Sequence, residues 1–220
     1  MGWEARSREA ERMSLEGLRV VVDVQHLYRP HRPHDRGARF RLEDGTHVWE
    51  ADAALVYADA IGDWLEARSV PVLRNDPARG ILTGFYSERG RAAAPDAWAA
   101  TAYLACHLNA GGGAYSLLEV MEGRDDTLAR AIGQRLVSTG HPPVIPELQR
   151  FERRWLKTED RGSSCIRFVH ESIPTVLCEP FFGDNRAHQP LLMVPRLREV
   201  GEAIAQGVAS WWRSGRNLPA

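Results

Sequence analysis

Three short segments of this 220-residue chain place metal-binding or acid–base side chains at the ends of apolar runs. Asp23-Val24-Gln25-His26 closes one run, and Ala105-Cys106-His107-Leu108-Asn109-Ala110 leads from a second into Gly111-Gly112-Gly113. Cys178-Glu179-Pro180-Phe181-Phe182 closes a third. Two imidazoles and a carboxylate gathered from three strand ends are the side chains of a one-metal hydrolytic site. A catalytic zinc takes three protein ligands and keeps a fourth position open for water. His26 and His107 are the first two candidates. Glu50, at the start of a long helical pattern, is the third, although a carboxylate there equally complements the helix dipole. Glu179 suits a general base, because the apolarity of its strand should hold its proton affinity up. Arg161, beside Gly162, is either a contact for an anionic substrate group or a solvated loop cation.

The elements that must position these residues follow from residue type and period. Leu18–Val24 is β-branched and reads as a buried strand, and Leu27–Asp44, rich in Arg, His and Pro, reads as a loop over the cleft. From Glu50 to Arg68, Ala53, Val56, Tyr57, Ala60, Ile61, Trp64 and Leu65 fall on one helical face. Val70–Leu73 reads as a short strand, and Ser87–Ala100 as a helix interrupted at Pro95. Ala102–His107 and Tyr115–Met121 are strands, with Asp125–Ser138 an amphipathic helix. Val144–Lys157 is ambiguous, with a short helix around Leu148–Trp155. Cys165–Val169 and Thr175–Cys178 read as two further strands, and Ala203–Trp212 as a closing helix begun near Leu197. The alternation predicts an α/β fold: a single domain with a twisted, mostly parallel sheet and helices on both faces. Ligands in such sheets sit at the carboxyl ends of the strands, where His26, His107 and Glu179 fall. The expected boundaries are an N-terminal extension over 1–17, a catalytic domain over 18–214 and a tail over 215–220.

Bulk properties narrow the field. A hydrophobic content of 44% and a charged content of 26% are those of an ordinary globular protein. A net charge of −1 gives no electrostatic reason for nucleic-acid binding. No apolar run approaches the roughly 20 residues needed to span a bilayer, so membrane insertion is not expected. Gly2–Gly17 is charged and lacks the apolar segment of a secretory signal, so the chain as encoded reads as cytoplasmic. Cys106, Cys165 and Cys178 form no Cys-x-x-Cys spacing and read as thiols in a reducing compartment. Alternation should turn Cys106 and Cys178 away from the cleft, since each precedes a candidate site residue.

The ordered motifs resemble the zinc-dependent N-acetylmuramoyl-L-alanine amidases of the amidase type 3 family. The family's Asp-x-Gly-His and Gly-Ala elements correspond to Asp23–His26 and Gly37–Ala38, and its helix-leading Glu to Glu50. Its Ser-x-His-x-Asn-Ala signature corresponds to Ala105–Ala110, its Gly-x-Glu-like step to Leu118–Val120, and its Arg-Gly element to Arg161–Gly162. The closing Pro-x-Val-Leu-x-Glu strand corresponds to Pro174–Glu179, followed by Phe181, Phe182 and Asn185. The match runs from about Leu18 to Trp212. The resemblance implies one zinc held by His26, Glu50 and His107, with Glu179 as the catalytic carboxylate and Asn109 and Arg161 as substrate contacts. It implies a peptidoglycan or muropeptide substrate, cut at the amide between the lactyl group of N-acetylmuramic acid and L-alanine. The chain departs from the pattern at Gln25, where the family has glycine, and in a longer segment after His26 that carries His31 and His34. His47, three residues before Glu50, is an alternative ligand. A zinc hydrolase of the same fold acting on a small N-acyl amino acid, and a non-catalytic wall-binding homologue, are the competing readings.

Overall fold

The computed structural model describes residues 14–29, 32, 34–84, 90–137 and 144–216. Its framework is a six-stranded sheet in the order β4-β1-β5-β8-β6-β7. The strands are β1 (Val20–Val24), β4 (Val72–Arg74), β5 (Ala102–Cys106), β6 (Ser116–Met121), β7 (Phe151–Leu156) and β8 (Thr175–Glu179). Every neighbouring pair is parallel except β6–β8, so the sheet is mostly parallel, as the alternation predicts. A separate antiparallel hairpin joins β2 (Arg39–Arg41) to β3 (His47–Trp49). The last strand in sequence, β8, lies in the middle of the sheet between β5 and β6.

The two faces of the sheet are covered unequally. Val20, Val22, Val24, Leu104, Cys106, Leu118, Val120, Val176 and Cys178 pack beneath three long helices. These are α1 (Glu50–Glu66), α3 (Thr127–Leu136) and α5 (Val194–Arg216). The opposite face carries Val21, Tyr103, Ala105, Met121 and Leu177. Its cover includes two single-turn helices, α2 (Ala94–Ala97) and α4 (Ser163–Ile166). Cys106 and Cys178 thus point into the long-helix core and away from the cleft. Among the described residues no helix is long and apolar enough to cross a membrane.

Several elements differ from the sequence reading. Phe151–Leu156 is a strand, where a short helix is expected around Leu148–Trp155. As an edge strand it exposes Arg154 and Trp155 and only half-buries Glu152 and Arg153, so its charged residues hide the period of two. Ser163–Ile166 is a helical turn rather than the start of a strand. The Ser163 hydroxyl bonds the Thr158 and Asp160 carbonyls, and this local alternative overrides the β-branched composition that follows. The expected 27–44 loop contains β2. Pro95 sits in the first turn of α2 and starts a helix instead of breaking one, while part of the expected Ser87–Ala100 helix lies outside the described residues.

Helix α5 packs against α1 through Gly201, where an added Cβ would lie 2.2 Å from the Tyr57 carbonyl oxygen. Backbone cannot yield as a flexible side-chain tip can. Gly201→Ala should therefore destabilise by about 1–3 kcal/mol. Gly215→Ala, where nothing lies within 4 Å, should be neutral or slightly stabilising in the same helix. Urea midpoints of the two variants check this, and equal midpoints would show that the helices slide apart at little cost.

Candidate metal centre

Strand register gathers the polar residues into one row. Asp23 faces Ala105, Ala105 faces Leu177, and Leu177 faces Glu119 across β1, β5, β8 and β6. Because side chains alternate, Gln25, His107 and Glu179 follow on this same, thinly covered face at the strand ends. The long-helix face supplies the remaining piece. Glu50 is the first residue of α1, whose N-cap Trp49 makes no side-chain cap bond. The 36–38 segment caps the helix instead: Glu50 N–H donates to the Ala38 carbonyl (2.8 Å) and Ala51 N–H to the Arg36 carbonyl (3.0 Å). These bonds satisfy helix donors that have no partner within the helix.

His26, Glu50 and His107 each offer a ligand atom within 4.8 Å of the others. His107 Nδ1 lies 2.9 Å from Glu50 Oε1, and His26 Nε2 lies 3.3 Å from the same oxygen. The imidazoles meet edge to face, with centroids 4.9 Å apart. The outward nitrogens are occupied as well. His26 Nδ1 donates to Asp35 Oδ1 at 3.1 Å, and Arg29 in turn holds Asp35 at 2.7 Å. His107 Nε2 lies 2.9 Å from Gln25 Oε1. Each ring therefore presents its free edge inward, as metal-ligating histidines do when their far nitrogen meets an acceptor. Glu50 Oε2 accepts from Ala38 N–H (2.8 Å), and Oε1 also accepts from Leu108 N–H (3.2 Å). Gly37, at φ +72°, passes so close that a Cβ would sit 2.3 Å from Glu50 Oε2.

The electrostatics follow from this packing. Burial pushes the Glu50 carboxyl up, but hydrogen bonds from His107 and His26 outweigh it and hold the group far below the ordinary carboxylate range. Burial pulls His107 down, but the neighbouring Cys165 side chain and Glu50 raise it well above an ordinary imidazole. Glu179 is the reverse case. Burial first, then the nearby Glu119 carboxylate, pushes its pKa up to about 7. Glu119 lies two residues diagonal to Glu179 on the same face and is paired with Arg154 at 2.8 Å.

These residues line a cavity of ≈ 1020 Å³ together with Asn109, Arg161, Arg32 and Arg167. Asn109 is held at the rim by a bridge to Phe182, and Arg161 is exposed. Not every sequence candidate is brought here. His34 is exposed, and His47 begins β3 with its side chain in solvent. His31 lies outside the described residues. Asp35 is a contributor that sequence reasoning missed, and Glu119 enters it only within the Leu118–Val120 step, without a role in the site. Asp35 lies in a loop with no period to mark it. Glu119 is visible as the lone charge in the apolar run Leu117–Met121, a signal that was available.

With this geometry in view, the fold can be placed among known structures. No protein-family model matches the chain, and neither does any curated protein. Solved structures do share its fold, and N-acetylmuramoyl-L-alanine amidases are among them. AmiC2 of Nostoc punctiforme superposes with a TM-score of 0.61 at 22% identity, over 88% of this chain and 96% of that one. Ami1 of Mycobacterium smegmatis gives 0.64 at 15% identity, over 91% and 99%. The CwlD amidase of Clostridioides difficile, solved in complex with the GerS lipoprotein, gives 0.61 at 18%, over 89% and 98%.

The raised Glu179 pKa has a stability consequence whose sign is fixed. Between about pH 4.5 and 7 the folded protein keeps a proton that the unfolded chain has released, so stability falls as pH rises through that window. In protein stripped of metal by a chelator, Glu179→Gln should be more stable than the parent at pH 8 by roughly 2–3 kcal/mol. The advantage should vanish near pH 4. A stability gap of the same size at both pH values would show that Glu179 ionises normally.

Proposed function

We propose that this protein is a zinc-dependent N-acetylmuramoyl-L-alanine amidase, hydrolysing the amide between the lactyl group of N-acetylmuramic acid and L-alanine in peptidoglycan or a muropeptide. The observation that carries the reading is the convergence of two inward-facing imidazole nitrogens on the Glu50 carboxylate, beside a buried carboxyl, in a fold shared with solved N-acetylmuramoyl-L-alanine amidases. The residues fit the metal. Bonds of about 2.0–2.2 Å in a tetrahedral arrangement set ligand atoms roughly 3.3–3.5 Å apart. The spacings of 2.9 and 3.3 Å about Glu50 Oε1 lie close to this, and all three ligand atoms fall within 4.8 Å of one another. The alternative of a small N-acyl amino acid is less favoured, because a cavity of ≈ 1020 Å³ exceeds what such a molecule fills.

His26, Glu50 and His107 would hold the zinc. When bound, it supplies Lewis acidity toward an amide carbonyl and makes water acidic enough to lose a proton near neutrality. Glu179 accepts the proton from the attacking water and returns it to the amine of L-alanine as the C–N bond breaks. Its elevated proton affinity suits both halves of that task. Glu119, tied to Arg154, keeps a second carboxylate facing Glu179 and sustains that affinity. Asn109 at the cavity rim and the exposed Arg161 contact the substrate, Arg161 through a carboxylate of the stem peptide.

Zinc-loaded protein incubated with purified peptidoglycan should release stem peptides with a free L-alanine amino terminus and leave the glycan intact, as read by mass spectrometry. Zinc bound without peptide release would transfer the reading to soluble N-acyl amides. Glu179→Gln should keep one zinc per chain and lose turnover by about 10²–10⁴-fold. His107→Ala should lower zinc occupancy, and full occupancy there would remove His107 from the ligand set.

A further inference from the structure

Beneath the site lies a buried polar chain that the reaction does not use directly. Asp23, Gln25 and Tyr103 are each fully buried on the site face of the sheet. The Tyr103 hydroxyl lies 2.6 Å from Asp23 Oδ2, and Asn75 Nδ2 donates to Asp23 Oδ1 at 2.8 Å. Gln25 Nε2 lies 3.0 Å from the Tyr103 hydroxyl oxygen and 2.9 Å from the Cys165 carbonyl. Its Oε1 lies 2.9 Å from His107 Nε2.

The direction of every bond in this chain is dictated by chemistry. A carbonyl only accepts, so the Gln25 amino group must be the end that faces Cys165. Asp23, met by Asn75 and by the Arg91 guanidinium at 3.5 Å, takes the Tyr103 proton. The Tyr103 oxygen therefore accepts the second Gln25 N–H. With both amide protons committed, Gln25 can offer His107 only a carbonyl oxygen. A neutral His107 must then carry its proton on Nε2, which leaves Nδ1 as the nitrogen that faces Glu50.

We infer that Gln25 is a positioning residue for the metal centre: anchored by Tyr103 and the Cys165 carbonyl, it fixes the tautomer and ring orientation of His107 so that Nδ1 is the ligating atom. The backbone is built to hold it there. The Gln25 carbonyl accepts from Arg29 (2.7 Å) and Arg91 (3.0 Å), and Arg91 also grips the Leu27 carbonyl (2.6 Å). A glycine at this position, as the amidase pattern has, keeps that carbonyl but supplies no side-chain acceptor for His107. The two histidines are thus oriented by different means, His26 by a carboxylate and His107 by a neutral amide. A neutral partner leaves the ligand set with one negative charge fewer around the metal than a second carboxylate would give.

The inference rests on the metal reading, and the test separates the two. In wild-type protein carrying ¹⁵N-labelled histidine and one equivalent of zinc, long-range ¹H–¹⁵N spectra should show His107 protonated at Nε2 and metal-bound at Nδ1. Gln25→Met, which keeps the volume and removes the acceptor, should weaken zinc binding about 10–100-fold in competition with a chromophoric chelator. Failure of the wild type to bind zinc would overturn both readings. Zinc bound through Nε2, or an unchanged affinity in Gln25→Met, would overturn the role of Gln25 alone. The wild-type spectrum decides the matter even if the variant does not fold.

Discussion

A carboxylate as deeply buried as Glu50 must find partners for both oxygens, because an unpaired buried charge costs several kcal/mol. Meeting that demand organises the surrounding chain. One oxygen takes the Ala38 amide, which brings the 36–38 segment back across the start of α1. The other takes the Leu108 amide and faces both imidazoles, which sets where β5 ends and how the turn after β1 is aimed. The same crossing segment lends its carbonyls to the first helical N–H groups, so one loop compensates the charge and caps the helix. Gly37 follows as a necessity, since a side chain at its position would collide with the carboxylate that the loop exists to bind.

The unequal covering of the sheet serves this arrangement. Three long helices seal one face and bury most of the apolar surface, leaving the other face free to carry polar groups at the strand ends. A row of chemistry-bearing residues on a fully packed face would need partners on every side. Here the short α4 turn borders a cavity above it.

Much of this was legible in the sequence because the signals were local. The β-branched run before His26, the helical period after Glu50 and the apolar run ending at Glu179 each mark an element and its end. The carboxyl-end rule for parallel sheets then put the site residues together. What stayed hidden depends on distant partners. Phe151–Leu156 looks helical or irregular because an edge strand can carry charges on either face, and only its pairing with β6 defines it. Asp35 has no periodic context, and its role appears only when the loop folds onto His26. The Gln25 side chain reads from sequence as a departure from a pattern, whereas its three hydrogen-bond partners come from β5, α4 and the residue after β5.

The position of β8 between β5 and β6 has a consequence for how the protein comes into being. Until this strand arrives, the sheet exists as two separate pieces, β4-β1-β5 and β6-β7, each with an open inner edge able to pair with another chain. The strand that joins them also delivers Glu179. The same strand also accepts the His107 N–H at the Cys178 carbonyl, so a chain that has not yet placed β8 lacks both the Glu179 carboxyl and part of what holds His107. Closure of the sheet and assembly of the polar row at its strand ends are therefore one event, with only α5 left to seal the opposite face.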